Sequence, residues 1–178
     1  MRTLIIYSSQ TGFTERYAEW IAARLNADVL TIKEAKKKKQ DFFNHYDACI
    51  YGGWIMAGTV VDSKWFLQKA FDWKNKKLAI YCVGGSPAGN PDVEDCLSRL
   101  LTDEQRNYIK VFYCQGGIDY SKMKASSRFV MKTLASSLSK KKDATQKDRD
   151  MAEMISHSYD SSDEKYIEPI VQYIEACE

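Results

Sequence analysis

The chain has 178 residues, of which 44% are hydrophobic and 28% charged, and its formal net charge is +2. This length favours a single domain over residues 1–178, since two domains would each have too small a core. No apolar stretch approaches the roughly 20 residues of a membrane-spanning helix, and the five cysteines lack Cys-x-x-Cys spacing. We therefore expect a cytoplasmic protein with reduced thiols, without a metal site and without a nucleic-acid partner.

The most informative turn of the chain is Ser9-Gln10-Thr11-Gly12-Phe13-Thr14, which separates an apolar run, Thr3–Tyr7, from an amphipathic run over residues 15–25. This order predicts a strand, a tight turn and the start of a helix. Such a turn directs backbone N–H groups, three hydroxyls and the positive end of the helix dipole towards one point, which suits a phosphate monoester. The simpler alternative is that one hydroxyl caps the helix. The 9–14 turn has neither the lysine of a P-loop nor the three glycines of a dinucleotide-binding turn, which argues against nucleoside triphosphates and NAD.

Continuous apolar runs alternate with amphipathic runs along the rest of the chain. This alternation predicts a doubly wound α/β domain whose five-stranded parallel sheet is covered on both faces. Paired glycines follow three of the strands, at 52–53, 84–85 and 116–117; they indicate either tight turns or the floor of a shared ligand site. We predict strands at residues 3–7, 28–32, 48–51, 78–83 and 111–114, and helices at 15–25, 62–73, 91–101 and 166–177.

A long insertion, roughly residues 118–165, separates the fifth predicted strand from the last helix. It is far longer than an ordinary connection of a few residues. Its residues 121–150 contain seven lysines and two arginines against three aspartates. Within it, residues 128–138 have apolar side chains at helical spacing with basic ones opposite, which predicts a basic amphipathic helix. Packing on the domain, an acidic protein and an anionic membrane surface are the open alternatives for this helix.

Ser9, Thr11, Gly12 and Thr14 occupy all four specified positions of the pattern Ser/Thr-x-Thr-Gly-x-Thr. At the end of a first strand, this pattern resembles the FMN-phosphate loop of flavodoxins. The resemblance implies a flavodoxin-like fold, an FMN cofactor and electron transfer, with the flavin carrying the chemistry and no catalytic side chain. Flavodoxins that serve large basic partners are strongly acidic, whereas this chain has a net charge of +2. We therefore expect a different redox partner protein or a small acceptor.

The same resemblance places the flavin ring between the loops that follow the third and fourth predicted strands. Trp54 is the aromatic side chain that we expect against the ring, where an indole lowers the reduction potential; a core position is its alternative and is what we expect for Trp20, Trp65 and Trp73. The fourth-strand loop contains no aromatic residue, so one ring face is expected to be open. Besides the 9–14 turn, the cofactor contacts implied are Gly53, Trp54, Ile55, Met56, Ala57, Gly58, Gly84, Gly85, Ser86 and Gly89.

The segment Gln115-Gly116-Gly117-Ile118-Asp119-Tyr120, followed by the basic insertion, carries a narrower resemblance. It is similar to the flavodoxin-like bacterial protoporphyrinogen IX dehydrogenases, which pass electrons to membrane quinones. This resemblance implies an alternative function: an FMN-dependent oxidoreductase with a quinone or porphyrinogen-like substrate and peripheral contact with an anionic membrane. The lysine-rich residues 139–150 differ from that subgroup. A third alternative, an interaction module without flavin, is disfavoured by the intact hydroxyls of the 9–14 turn.

Overall fold

The computed structural model describes residues 1–141 and 143–176. Its centre is a sheet of five parallel strands, to which one short antiparallel strand is added. The strands are β1 (Thr3–Tyr7), β2 (Asp28–Thr31), β3 (Ala48–Met56), β4 (Thr59–Val60), β5 (Lys77–Gly84) and β6 (Ile109–Gln115). The parallel strands lie in the order β2-β1-β3-β5-β6. Strand order therefore reverses between β1 and β3, where doubly wound sheets bind their ligands.

Successive strand residues, such as Leu4 and Ile5, point to opposite faces of this sheet and are buried in two different core layers, so helices cover both faces. Helices α1 (Phe13–Leu25) and α9 (Glu168–Glu175) pack on one face, and α4 (Ser63–Ala70) and α5 (Pro91–Leu100) pack on the other. The doubly wound α/β fold expected from the sequence is thus confirmed. The helices are α1 (Phe13–Leu25), α2 (Ile32–Ala35), α3 (Gln40–Phe43), α4 (Ser63–Ala70), α5 (Pro91–Leu100), α6 (Asp103–Arg106), α7 (Ala125–Lys140), α8 (Gln146–Met154) and α9 (Glu168–Glu175).

The helix predicted over residues 62–73 and the last helix have different boundaries in the structure. The helix expected over residues 62–73 ends as a helix at Ala70, and a series of turns leads from there to the buried Trp73. The last helix begins at Glu168 after a 3₁₀ turn, Glu164–Tyr166. Its predicted final residue, Cys177, lies outside the described residues.

The cysteines of the described chain are buried and free, as the sequence predicts. Burial alone raises the pKa of the Cys114 thiol, and burial raises the pKa of Cys49 to about 12 even though Lys76 opposes it. These thiols therefore behave as small apolar groups of the core, because the thiolate needed for reaction is disfavoured there.

The insertion forms a small unit with a sheet of its own. Its base is an antiparallel pair of two-residue strands, β7 (Gly117–Ile118) and β8 (Tyr159–Asp160). Helix α7 confirms the predicted helix over 128–138 and is longer at both ends, while α8 and the β7–β8 pair were not predicted. No helix in the described part of the chain combines the length and apolarity needed to cross a membrane.

Candidate functional site

The 9–14 turn joins β1 to α1 at the carboxyl edge of the sheet. Gly12 is the residue before the helix and has φ +97°, a conformation that an L side chain rarely adopts. The Gly12 N–H donates to the Ser9 hydroxyl oxygen at 3.1 Å, and the Gly12 carbonyl accepts from the Arg16 N–H at 2.9 Å. The backbone thus turns tightly around Gly12 and enters the helix directly.

Gly12 occupies the N-cap position of α1, where no side-chain cap is formed. The Ser9 hydroxyl accepts from the Gly12 N–H but from no N–H group within the helix, and within the described residues Thr11 caps nothing. The N–H groups of Phe13, Thr14 and Glu15 have no partner among the residues that the structure describes. The hydroxyls of Thr11 and Thr14 are also unpaired within the described chain, although Thr14 is only 2% exposed. This concentration of unpaired donors at a helix N-terminus fits a phosphate group.

Hydrogen bonds hold the 9–14 turn against the neighbouring strands. The Ser8 N–H donates to the Gly52 carbonyl at 2.9 Å, and the Ser8 hydroxyl donates to Asp62 at 2.9 Å. On the helix side, the Tyr81 hydroxyl donates to the Thr14 carbonyl at 3.0 Å. The turn is therefore positioned by residues of β3, β5 and the start of α4, which is the arrangement that a preorganised anion site requires.

Trp54, Ile55 and Met56 belong to a strand and not to a loop, which corrects the sequence prediction. Strand β3 continues to Met56 and then folds back on itself as a hairpin with β4, in which Ile55 pairs with Val60. Ala57 and Gly58 form its two-residue turn, and both have positive φ, as a type I′ hairpin turn requires.

Gly53 has a packing role in this hairpin. A Cβ at Gly53 would lie 2.8 Å from Cγ1 of Val60 and 2.9 Å from the carbonyl oxygen of Val61. The strand could not fold back so closely with any other residue at this position. A contact of Gly53 with a cofactor remains a prediction.

Trp54 differs from the other three tryptophans in its surroundings. Trp73 lies in one core layer, and Trp65 and Trp20 pack against the core layers, as the sequence predicts. Trp54 is half-buried and belongs to neither core layer of the described chain. It pairs with Val83 across the β3–β5 ladder, and the paired glycines Gly84 and Gly85 directly follow Val83 along the chain. Its indole is therefore available to a ligand at this edge.

The 84–89 loop is held by hydrogen bonds to its carbonyl groups. The Gly84 carbonyl accepts from the Gly116 N–H at 2.8 Å, the Gly85 carbonyl accepts from the Tyr159 hydroxyl at 2.9 Å, and Tyr113 donates to the Ser86 carbonyl. Burial raises the pKa of both tyrosines, so their hydroxyls stay protonated as donors. The N–H groups of Gly85 and Ser86, by contrast, have no partner among the described residues. This loop can thus offer donors to the edge of a polar ring.

Tyr159 is a site residue that the sequence analysis missed. The sequence offers no aromatic residue in the 84–89 loop, but the insertion brings Tyr159 to it from 74 positions away. A side chain so distant along the chain leaves no local signal. The insertion is held in this position by Arg16, whose guanidinium lies 2.5 Å from Asp160 and 2.6 Å from the Ser162 hydroxyl.

The three predicted segments therefore lie at one edge of the sheet. Residue pairs across the ladder place Tyr7 beside Gly52 and Trp54 beside Val83, so the 9–14 turn, the hairpin and the 84–89 loop follow adjacent strands. Within the described residues no three His, Cys, Asp or Glu side chains gather as metal ligands. The donors of this edge can bind and orient an anionic ligand with a flat polar ring.

Comparison with known proteins agrees with this arrangement. Residues 4–145 match the family model of the flavodoxin domain. No curated protein matches the chain.

Several solved structures are similar. The flavodoxin, WrbA-like protein from Agrobacterium tumefaciens is 20% identical over 71% of this chain and 87% of its own, with a TM-score of 0.49. A flavoprotein in complex with FMN from Lactobacillus acidophilus is 17% identical over 64% and 91%, with a TM-score of 0.45. The two-electron reduced flavodoxin of Megasphaera elsdenii is 18% identical over 70% and 89%, also with a TM-score of 0.45. Because the family model covers most of its length, the chain belongs to the flavodoxin family.

Proposed function

We propose that this protein binds FMN at the carboxyl edge of its sheet and transfers electrons through the bound flavin. The observation that carries the proposal is the 9–14 turn, where unpaired hydroxyls of Thr11 and Thr14 meet the uncapped start of α1. A phosphate monoester satisfies these donors and interacts favourably with the helix dipole. Membership of the flavodoxin family supports the same cofactor.

The remaining residues of the site would orient the isoalloxazine ring. Trp54 offers a flat apolar surface to one ring face, and the N–H groups of Gly85 and Ser86 offer donors to the carbonyl oxygens of the ring. The Ala57–Gly58 turn follows the strand that carries Trp54 and would supply backbone atoms to the ring edge. When bound, the flavin supplies the redox chemistry, while the protein tunes its potential and controls access to it.

The test is a pair of titrations of the purified protein, one with FMN and one with riboflavin, followed by reduction of the complex. We expect FMN to bind with its characteristic visible absorption and riboflavin to bind much more weakly, because riboflavin lacks the phosphate. The reduced complex should then pass electrons to an added acceptor. A protein that binds neither flavin would contradict the proposal, and the interaction module would replace it.

A second candidate function is a quinone-linked or porphyrinogen-linked oxidoreductase, and the exposed face of α7 favours it. Phe129 is 73% exposed, Val130 61% and Leu134 45%, and Lys132 and Lys140 are exposed on the same helix. A basic helix with exposed apolar side chains suits an anionic lipid surface, from which a lipid-soluble acceptor could be reached. Faster turnover with a quinone in anionic vesicles than with a water-soluble acceptor would favour this candidate over a protein acceptor.

A further inference from the structure

Lys122 of the insertion approaches the 9–14 turn from outside. Its Nζ atom lies 3.8 Å from the position that a Cβ would take at Gly12. Apart from the chain neighbours of Gly12, it is the one atom of the described residues within 4 Å of that position. A primary ammonium group thus stands over the open side of the turn, although the turn itself contains no lysine or arginine.

The backbone of Lys122 is held by hydrogen bonds, whereas its ammonium group makes a long ion pair with Asp119. Asp119 accepts hydrogen bonds from the N–H groups of Ser121 and Lys122, at 3.0 Å and 3.3 Å, which shapes the chain around them. The Nζ of Lys122 lies 3.7 Å from the other carboxylate oxygen of Asp119, a distance too long for a good hydrogen bond. Since the Lys122 side chain is also 62% exposed, its ammonium can turn to a second anion with little loss.

A second basic side chain near the turn, that of Arg16, is already occupied. Arg16 lies in the first turn of α1, but its guanidinium is held by Asp160 and Ser162 of the insertion. These contacts join the base of the insertion to α1, the helix that begins directly after Gly12. Lys122 is therefore better placed than Arg16 to meet a dianion in the 9–14 turn.

We propose that Lys122 is a phosphate ligand supplied by the insertion, which closes the 9–14 turn over the FMN phosphate and favours FMN over riboflavin. This inference rests on the proposed function. A hydrogen bond between two charged groups is roughly twice as strong as one between neutral groups, so one ammonium adds substantially to the neutral donors of the turn. The insertion then contributes a ligand to the cofactor site, in addition to the exposed helix α7 on the surface of the protein.

The experiment compares Lys122→Gln with a matched control, Lys124→Gln, which removes the same charge from an exposed residue two positions further on. Each variant and the unchanged protein is titrated with FMN and with riboflavin. For Lys122→Gln we expect the FMN dissociation constant to rise about threefold to tenfold, as befits a partly exposed ion pair, and riboflavin binding to stay constant. Lys124→Gln should resemble the unchanged protein, and Lys122→Arg should retain most of the affinity. FMN binding by the unchanged protein should also weaken more steeply with salt than binding by Lys122→Gln.

The outcomes separate this inference from the proposed function. If the unchanged protein binds FMN and Lys122→Gln binds it equally well, the role of Lys122 is refuted while the cofactor stands. An equal loss in both lysine variants, or an equal loss for both flavins, also refutes a direct phosphate contact. If the unchanged protein binds neither flavin, the proposed function fails and this inference fails with it.

Discussion

Removing two hydroxyls from the 9–14 turn is the most direct perturbation of the candidate site. The variant combines Thr11→Val with Thr14→Val, which keeps the size and branching of both side chains. Neither hydroxyl has a hydrogen-bond partner among the described residues, so the double variant breaks no observed hydrogen bond of a side chain. We therefore expect it to fold normally and to lose affinity only for a ligand that accepts from these hydroxyls.

The size of the loss follows from the burial of the two residues. A hydrogen bond to a charged group contributes about 1.5 kcal/mol or more when it is well shielded. Thr14 is 2% exposed and should contribute this amount, whereas Thr11 is half-buried and should contribute less. Together they give about 2 to 3 kcal/mol, which corresponds to an FMN dissociation constant raised about 30-fold to 150-fold.

Flavin fluorescence titrations of the double variant would measure this loss, with riboflavin as the ligand that lacks the phosphate. Thr133→Val, an exposed threonine on α7, serves as the matched control and should bind FMN as the unchanged protein does. Equal FMN affinity in the double variant and the control would show that the phosphate does not lie in the 9–14 turn. A loss that is the same for both flavins would indicate a general disturbance of the site.

Three further changes test the rest of the site and its surroundings. Trp54→Ala should raise the reduction potential of the bound flavin, because a stacked indole disfavours the electron-rich reduced ring; an unchanged potential in a spectroelectrochemical titration would count against stacking. Replacing Phe129, Val130 and Leu134 together with serine should leave FMN binding and thermal stability unchanged, since all three are exposed. The same variant should bind anionic vesicles more weakly, relative to neutral ones, than the unchanged protein does. Undiminished binding to anionic vesicles would exclude the exposed face of α7 as a membrane-binding surface. Burial raises the pKa of Asp160, but hydrogen bonds, chiefly from Arg16, outweigh it and hold that pKa below its ordinary value. The stabilisation of the folded state by the Arg16–Asp160 pair is therefore present above about pH 4 and is lost as the pH falls through the lowered pKa of Asp160. In Asp160→Asn, Tm should therefore fall less steeply in acid than in the unchanged protein. An equally steep fall would show that the pair contributes nothing.

Local patterns determined the elements that the sequence predicted correctly. Strands such as Thr3–Tyr7 are buried on both faces and therefore appear as continuous apolar runs. The 9–14 turn could be recognised because its glycine, its hydroxyls and the following helix are adjacent along the chain. The basic amphipathic helix of the insertion was predicted for the same reason, since helical periodicity is visible within eleven residues.

The hairpin at residues 55–60 could not be recognised in this way. Its strands pair over only two residues each, which is too short to show an alternating pattern, and its turn is Ala57-Gly58 and not one of the common Asn-Gly or Asp-Gly pairs. The sequence therefore indicated a loop where the structure has a strand that continues beyond the core. The consequence is that Trp54 is positioned by ladder hydrogen bonds and not by a flexible connection.

The sequence by itself determined the five parallel strands, the main helices that alternate with them and the donors of the 9–14 turn, because each depends on residues that are close along the chain. Only the tertiary structure decided which side chains of the insertion reach the site. Tyr159 meets Gly85 and Lys122 meets Gly12 because the β7–β8 pair and the contact between Arg16 and Asp160 fold the insertion back over the sheet edge. Contacts across so many residues depend on how packed elements are arranged in space, which no local periodicity, propensity or motif records.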